Sequence, residues 1–169
     1  MSPPADRSAD GPVLRPAGPA DAEALTALER AAGLAALGHV FPPDRHPYPS
    51  ADVLARWHLV LADPDTFVLV VDRDPGLDCV VAYDAAGTLR HLAVDPGRWG
   101  LGWGEWAVRH AVEAMSGLGL SELRLWCLAE NRHARRLYER LGWRVTGATQ
   151  PAPWPPYPVE VEYACDLSA

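Results

Sequence analysis

Leu92-Ala93-Val94-Asp95-Pro96-Gly97-Arg98-Trp99-Gly100-Leu101-Gly102-Trp103-Gly104-Glu105 is the most informative stretch of the chain. An apolar, strand-like run feeds a glycine-rich turn, and the turn opens a helix. Glycine tolerates positive φ, so successive backbone N–H groups in such a turn can converge on an anion. The helix that follows adds the partial positive charge of its N-terminus. The segment reads as a phosphate site built from backbone, needing no basic side chain. A P-loop is excluded, because no Lys-Ser/Thr follows the glycines. A dinucleotide fingerprint has more in its favour: Gly102, Gly104 and Ala107 match G-x-G-x-x-A, and Glu122 lies near the distance of a ribose-binding carboxylate. Against it, Pro96 to Trp99 separate the strand from the glycines, and Glu122 begins its strand instead of ending it. Taken alone, the segment reads equally well as an ordinary Gly-rich turn.

Outward from this turn, strands dominate on one side and helices alternate with strands on the other. Thr66–Val71, Cys79–Tyr83 and Leu89–Val94 are continuous apolar, β-branched runs, joined at Asp74-Pro75-Gly76 and Ala86-Gly87 by turn residues. Upstream, Val13-Leu14-Arg15 reads as a short strand and Pro19-Ala20-Asp21 as a helix start, with Leu25 and Leu28 on one face. Val53, Leu54, Trp57 and Leu61 recur at helical spacing, with Ser50 or Asp52 able to cap. Downstream, a helix over 105–118 buries Val108, Ala111, Val112 and Met115. A strand follows at 123–128, and then a helix over 131–141 with Ala134, Leu137, Tyr138 and Leu141 on one face, closed by Gly142. Residues 143–145 and 159–165 supply the last strands, around a Pro-rich loop at 151–158. The pattern predicts a mixed α/β sandwich in one domain over 12–169, after a loose polar tail at 1–11.

The second diagnostic segment is Asn131-x-x-Ala134-x-x-x-Tyr138-Glu139-x-x-Gly142-Trp143, one strand after the glycine loop. With it, the chain resembles the GNAT acetyltransferases over about residues 13–166. The signature of that family is strand, glycine loop, helix, strand, then N-x-x-A-x-x-x-Y-E-x-x-G-F/W. The resemblance implies a mostly antiparallel central sheet with one splayed parallel pair, flanked by about four helices. It also implies acetyl-CoA as cosubstrate and an amine-bearing acceptor, a small molecule or a peptide or protein N-terminus, attacking directly in a ternary complex. Leu92, Ala93 and Val94 would offer backbone to the pantetheine arm, and the N–H near Leu92 would polarise the acetyl carbonyl. The pyrophosphate would rest on the amides of Trp99, Gly100, Leu101, Gly102, Trp103, Gly104 and Glu105. Trp99 stands where the family often has Arg or Gln. Members similar to the ribosomal-protein N-terminal acetyltransferases carry Trp there too.

Asn131 would bond the cofactor arm while capping its helix, and Tyr138 would protonate the departing thiolate. Arg98 could approach a phosphate or lie solvated, and Arg132, Arg135 and Arg136 could reach the 3′-phosphate of CoA. Relatives place a catalytic Glu at the positions of Thr88 or Trp126, and neither is a carboxylate here. His91 is the nearest titratable candidate, followed by His39, His46, Asp44, Glu130 or a water relay. A lysine-like amine is neutral in only about one molecule in 2,500 at pH 7, against roughly one in ten for an α-amine. The missing carboxylates therefore predict a preference for low-pKa amines. Acceptor choice is expected from loops 38–50 and 151–158, the latter carrying Trp154 and Tyr157 as an apolar lid or a homodimer contact. A non-catalytic acyl-CoA sensor and a dinucleotide-dependent oxidoreductase are the competing readings.

Composition agrees with this picture. The net charge of −7, with Arg as the only strong base, disfavours nucleic acid as a partner, because phosphate neutralisation needs clustered positive charge. No apolar run approaches the roughly 20 residues needed to cross a bilayer, and the expected location is the cytoplasm. Cys79, Cys127 and Cys165 lack metal-ligand spacing and read as reduced core thiols; no metal site is expected.

Overall fold

The computed structural model describes residues 12–167. The tail expected at 1–11 lies outside the described residues. Seven strands form one sheet in the order β1-β2-β3-β4-β5-β7-β6: β1 Arg15–Pro16, β2 Thr66–Asp72, β3 Leu77–Asp84, β4 Thr88–Val94, β5 Glu122–Leu128, β6 Arg144–Pro151 and β7 Val159–Asp166. Among the described residues, the four α-helices are α1 Ala22–Leu37, α2 Ser50–Ala62, α3 Trp103–Ser116 and α4 Arg132–Arg140. Among the paired strands, only β4 and β5 run parallel.

Period-2 alternation assigns the two faces of the sheet. On one face, Val81, Leu89, Leu123, Leu125, Cys127 and Tyr163 pack against Ala107, Val108, Ala111 and Met115 of α3 and Leu137 and Tyr138 of α4. On the other, Val68, Val70, Val80 and Ala82 pack against Leu25 and Leu28 of α1 and Val53, Trp57 and Val60 of α2. The connection β4–α3–β5 is the crossover that a parallel pair requires, and the glycine loop is its entry.

Four local expectations change. The first strand is only Arg15–Pro16, held by two residue pairs to Val70 and Leu69. Neither Ser50 nor Asp52 caps α2: the N-cap is Pro49, no side chain caps it, and Ser50 is already helical. β6 runs on to Pro151, well past the expected 145, with its register broken between Val145 and Thr149. Cys79 and Cys127 are buried, with thiols pushed up to about 12 by burial, whereas Cys165 is only partly buried.

Candidate active site

The site begins where β4 and β5 part. They pair only at Thr88 with Arg124 and Leu89 with Leu125, and beyond Leu89 the two strands separate. Hydrogen-bond alternation then shows which backbone groups face the gap. Asp95 N–H donates to Asp78 O at 2.8 Å, so the residues of β4 that exchange bonds with β3 are Ala93 and His91, opposite Val80 and Ala82. Leu92 and Val94, opposite Val81 and Cys79, turn their N–H and C=O groups away from β3, toward β5. The same alternation applies on the far side. Ala129 N–H donates to Val159 O at 2.9 Å, so Trp126 and Leu128 turn their backbone away from β7 and into the gap. The Val94 carbonyl is taken by the Trp99 indole N–H at 2.8 Å. The expectation for Ala93 is thereby corrected: its backbone belongs to the β3 ladder, and its side chain packs on the α1/α2 core.

At the mouth of the gap lies the glycine loop. Gly100 and Gly102 have φ of 78° and 82°, and Gly102 is the N-cap of α3. Neither has an atom within 4 Å of the place a Cβ would take, so the loop is open on that side. Gly104 serves packing instead, since a Cβ there would meet Leu137 Cδ2 at 3.3 Å. Gly102→Ala is expected to cost about 1–2 kcal/mol in urea denaturation through backbone strain alone. Gly102→Asn, which tolerates the left-handed region, should recover much of that loss.

A cleft of about 580 Å³ runs from Trp99 across Asn131, Arg132, His133 and Arg136 to Ala35, Ala36 and His39 at the end of α1. Trp99 stacks on His133 with centroids 5.9 Å apart, joining the glycine loop to α4. Asn131 is the N-cap of α4, its carboxamide oxygen accepting from Ala134 N–H at 3.2 Å, which leaves its NH2 available. Arg132 and Arg136 line the cleft. Arg135 does not: it donates to the Tyr163 hydroxyl at 2.8 Å and to the Ala129 carbonyl, and is a bracket between α4 and the sheet. Arg98 is also committed, to the buried Asp78 at 3.0 Å and over the Trp103 ring. Glu105, in the first turn of α3, is held by Arg109 and Arg140.

Tyr138 is 7% exposed, between Trp143 and Tyr163. Its hydroxyl has no hydrogen-bond partner among the described residues, and burial raises its pKa, so the phenol keeps its proton at neutral pH. His91 faces the other layer. A bulge at Arg90 (Ala82 pairs with His91, but Tyr83 with Leu89) puts Leu89 and Leu92 on the α3/α4 face and His91 with Ala93 on the α1/α2 face. There the imidazole lies 4.7 Å from the Trp57 ring. Burial first, then the charges of Arg56 and Arg90, push its pKa down to about 3. In that setting His91 is neutral and a weak proton acceptor.

The face around His91 carries what sequence reasoning missed. Glu162 and Glu160 of β7 stand beside Trp126 and Leu128. Glu162 is buried and accepts from Arg124 and Thr146, both at 2.8 Å; Glu160 accepts from Gln150 at 2.8 Å. Glu29 binds Arg56 and, at 2.8 Å, the Trp57 indole N–H. Trp154 of the Pro-rich loop reaches the α1/α2 core, the cluster that also takes in Ala93 and Tyr48. His39 meets the backbone of Glu130 at 3.4 Å, whereas His46 and Asp44 make no side-chain hydrogen bond among the described residues.

Comparison with known proteins is consistent with this geometry. A family model described as the acetyltransferase (GNAT) family matches residues 34–143. Among solved structures, a GCN5-related N-acetyltransferase from Rhodopseudomonas palustris superposes with TM-score 0.77 at 15% identity, covering 94% of this chain and 97% of that one. A putative acetyltransferase from Salmonella typhimurium, solved with acetyl-CoA, gives 0.66 at 18% identity, with 95% and 96% covered. The ribosomal-protein-S18-alanine N-acetyltransferase of Escherichia coli gives 0.68 at 17% identity, with 94% and 96% covered. A search of curated proteins returned no match.

Proposed function

Because the chain belongs to the GNAT acetyltransferase family, with acetyl-CoA as its cosubstrate, we propose that it acetylates a primary amine of a small molecule or a peptide N-terminus in a ternary complex. The observation that carries this reading is the gap between β4 and β5, with the backbone of Leu92 and Val94 turned into it and the left-handed glycine loop at its mouth. Bound acetyl-CoA supplies an activated thioester. The amides from Trp99 to Glu105 and the N-terminus of α3 receive its pyrophosphate. Leu92 offers the strand edge to the pantetheine arm through its N–H and C=O, and Val94 through its N–H, its carbonyl being held by Trp99. The Leu92 N–H polarises the thioester carbonyl, and the free NH2 of Asn131 steadies the arm. Tyr138, protonated and unpartnered, gives its proton to the sulfur as the C–S bond breaks.

Among the described residues, no helix is long and apolar enough to cross a membrane. The free cysteines support a reducing compartment, and we place the reaction in the cytoplasm. Acetyl-CoA at about 100 times its dissociation constant should add roughly 2.7 kcal/mol of stability and raise the Tm by several degrees. NAD(P) should give no comparable shift. A shift with NAD(P) but none with acetyl-CoA would return the glycine loop to the dinucleotide reading.

A further inference from the structure

We propose that Glu160 is the carboxylate that takes the proton from the acceptor's ammonium group; the inference rests on the acetyltransferase reading above. Four observations lead to it. Leu92 lies three residues past Leu89, one of them the bulged Arg90, and Leu128 three past Leu125, so both border the gap beyond the last β4–β5 pair. Glu160 is the β7 partner of Leu128, in a pair whose backbones do not bond each other, and such pairs bring their side chains closest, with Cα atoms about 4.5 Å apart. Glu160 points to the face that carries His91 and Ala93, because Val161, Tyr163 and Cys165 pack on the α3/α4 core. Trp154, in the loop just before β7, bridges to the core that includes Ala93, so this face lies under that loop.

Charge separates Glu160 from its neighbours. Glu162 and Glu122 share Arg124, and Glu29 holds Arg56, so each of those carboxylates is paired with a guanidinium. Glu160 is bound through one oxygen by the neutral amide of Gln150, which orients it without cancelling its charge and leaves Oε1 open. His91, the alternative, is neutral and weakly basic where it lies. Glu160 thus meets the need that Thr88 and Trp126 leave open.

The protons balance. Glu160 takes one from the ammonium and passes it to solvent, and the neutral nitrogen forms the C–N bond. As the C–S bond breaks, sulfur keeps the electron pair and receives a proton from Tyr138. The second N–H proton restores the phenol. With this carboxylate, the preference for low-pKa amines predicted from Thr88 and Trp126 narrows, because a protonated amine can be neutralised in place.

The test is Glu160→Gln, whose amide oxygen can still accept from Gln150. The probes are an Ala-Gly-Gly amide peptide, n-butylamine, and water itself, read as CoA thiol release without amine. Loss of a general base typically costs about 10²–10⁴-fold, and we expect at least the lower figure for kcat/KM with n-butylamine at pH 7. The loss should be smaller for the peptide, and it should shrink steadily as pH rises toward the pKa of each amine. Unchanged acetyl-CoA affinity and Tm would show that fold and cosubstrate site survive. Should the wild type turn over neither amine, thiol release to water decides, with the same loss expected. A kcat/KM within twofold of wild type at pH 7, or a loss equal at every pH, would overturn the proposal. Failure of the wild type to bind acetyl-CoA would instead defeat the underlying reading.

Discussion

Tyr138→Phe is expected to lower kcat by about 10²-fold or more while leaving the dissociation constant of acetyl-CoA within about twofold. The ring is held by packing, with Trp143 and Tyr163 centroids each 6.1 Å away, and phenylalanine keeps all of that. Only the hydroxyl goes, and it has no partner among the described residues, so no protein hydrogen bond is broken. A thiolate is a good leaving group, which puts the loss near the low end of the range for a general acid. Burial raises the phenol pKa, so the donor stays protonated across the working range, and the variant should lose activity in parallel at pH 6 to 8. An unchanged kcat, with chemistry shown to be rate-limiting, would exclude Tyr138 as the acid. A large loss of acetyl-CoA affinity would reassign it to the binding surface.

Acidification should destabilise the protein through His91, by about 2 kcal/mol between pH 7 and pH 5 and by at most about 5 kcal/mol over the whole window. The imidazole has a folded pKa of about 3 against 6.5 when unfolded, with burial the main cause and Arg56 and Arg90 adding repulsion. A group whose folded pKa is depressed contributes stability above its unfolded pKa. That contribution is lost as pH falls from about 6.5 toward 3, because the unfolded chain takes up a proton that the folded chain refuses. His91→Phe keeps a ring against Trp57 and cannot titrate. The difference in slope of unfolding free energy against pH between wild type and His91→Phe isolates the effect from the carboxylates. Parallel slopes would mean that His91 titrates freely, and would restore it as a candidate base.

Most of the site's frame was legible because it is local. Glycine tolerance of positive φ, a helix N-terminus and a strand before it lie within one stretch, Leu92 to Glu105. Neighbouring residues dictate such features, and the same holds for Asn131 as cap and for the Ala134–Tyr138 face of α4. Element edges were less legible. Pro49 stands at the α2 N-cap where Ser50 or Asp52 was expected, and Arg135 turned out to be spent on Tyr163 and Ala129. An arginine's partner depends on what the sheet brings beneath it.

The sequence alone determined the family, the order of elements and the glycine loop at the head of α3, each written in residues close together along the chain. Tertiary structure decided the rest. The bulge at Arg90 turned His91 out of the α3/α4 layer and under Trp57, where desolvation keeps it neutral. The strand order β5-β7-β6 brought β7 next to β5, so that Glu160 and Glu162 stand beside Leu128 and Trp126 although more than thirty residues separate them in the chain. A one-residue slip reverses the face a side chain takes, and strand order is set by which edges can pair once the helices have covered the sheet. Neither is encoded in any short stretch of residues, and on both depend the identity and the setting of the carboxylate that faces the acceptor.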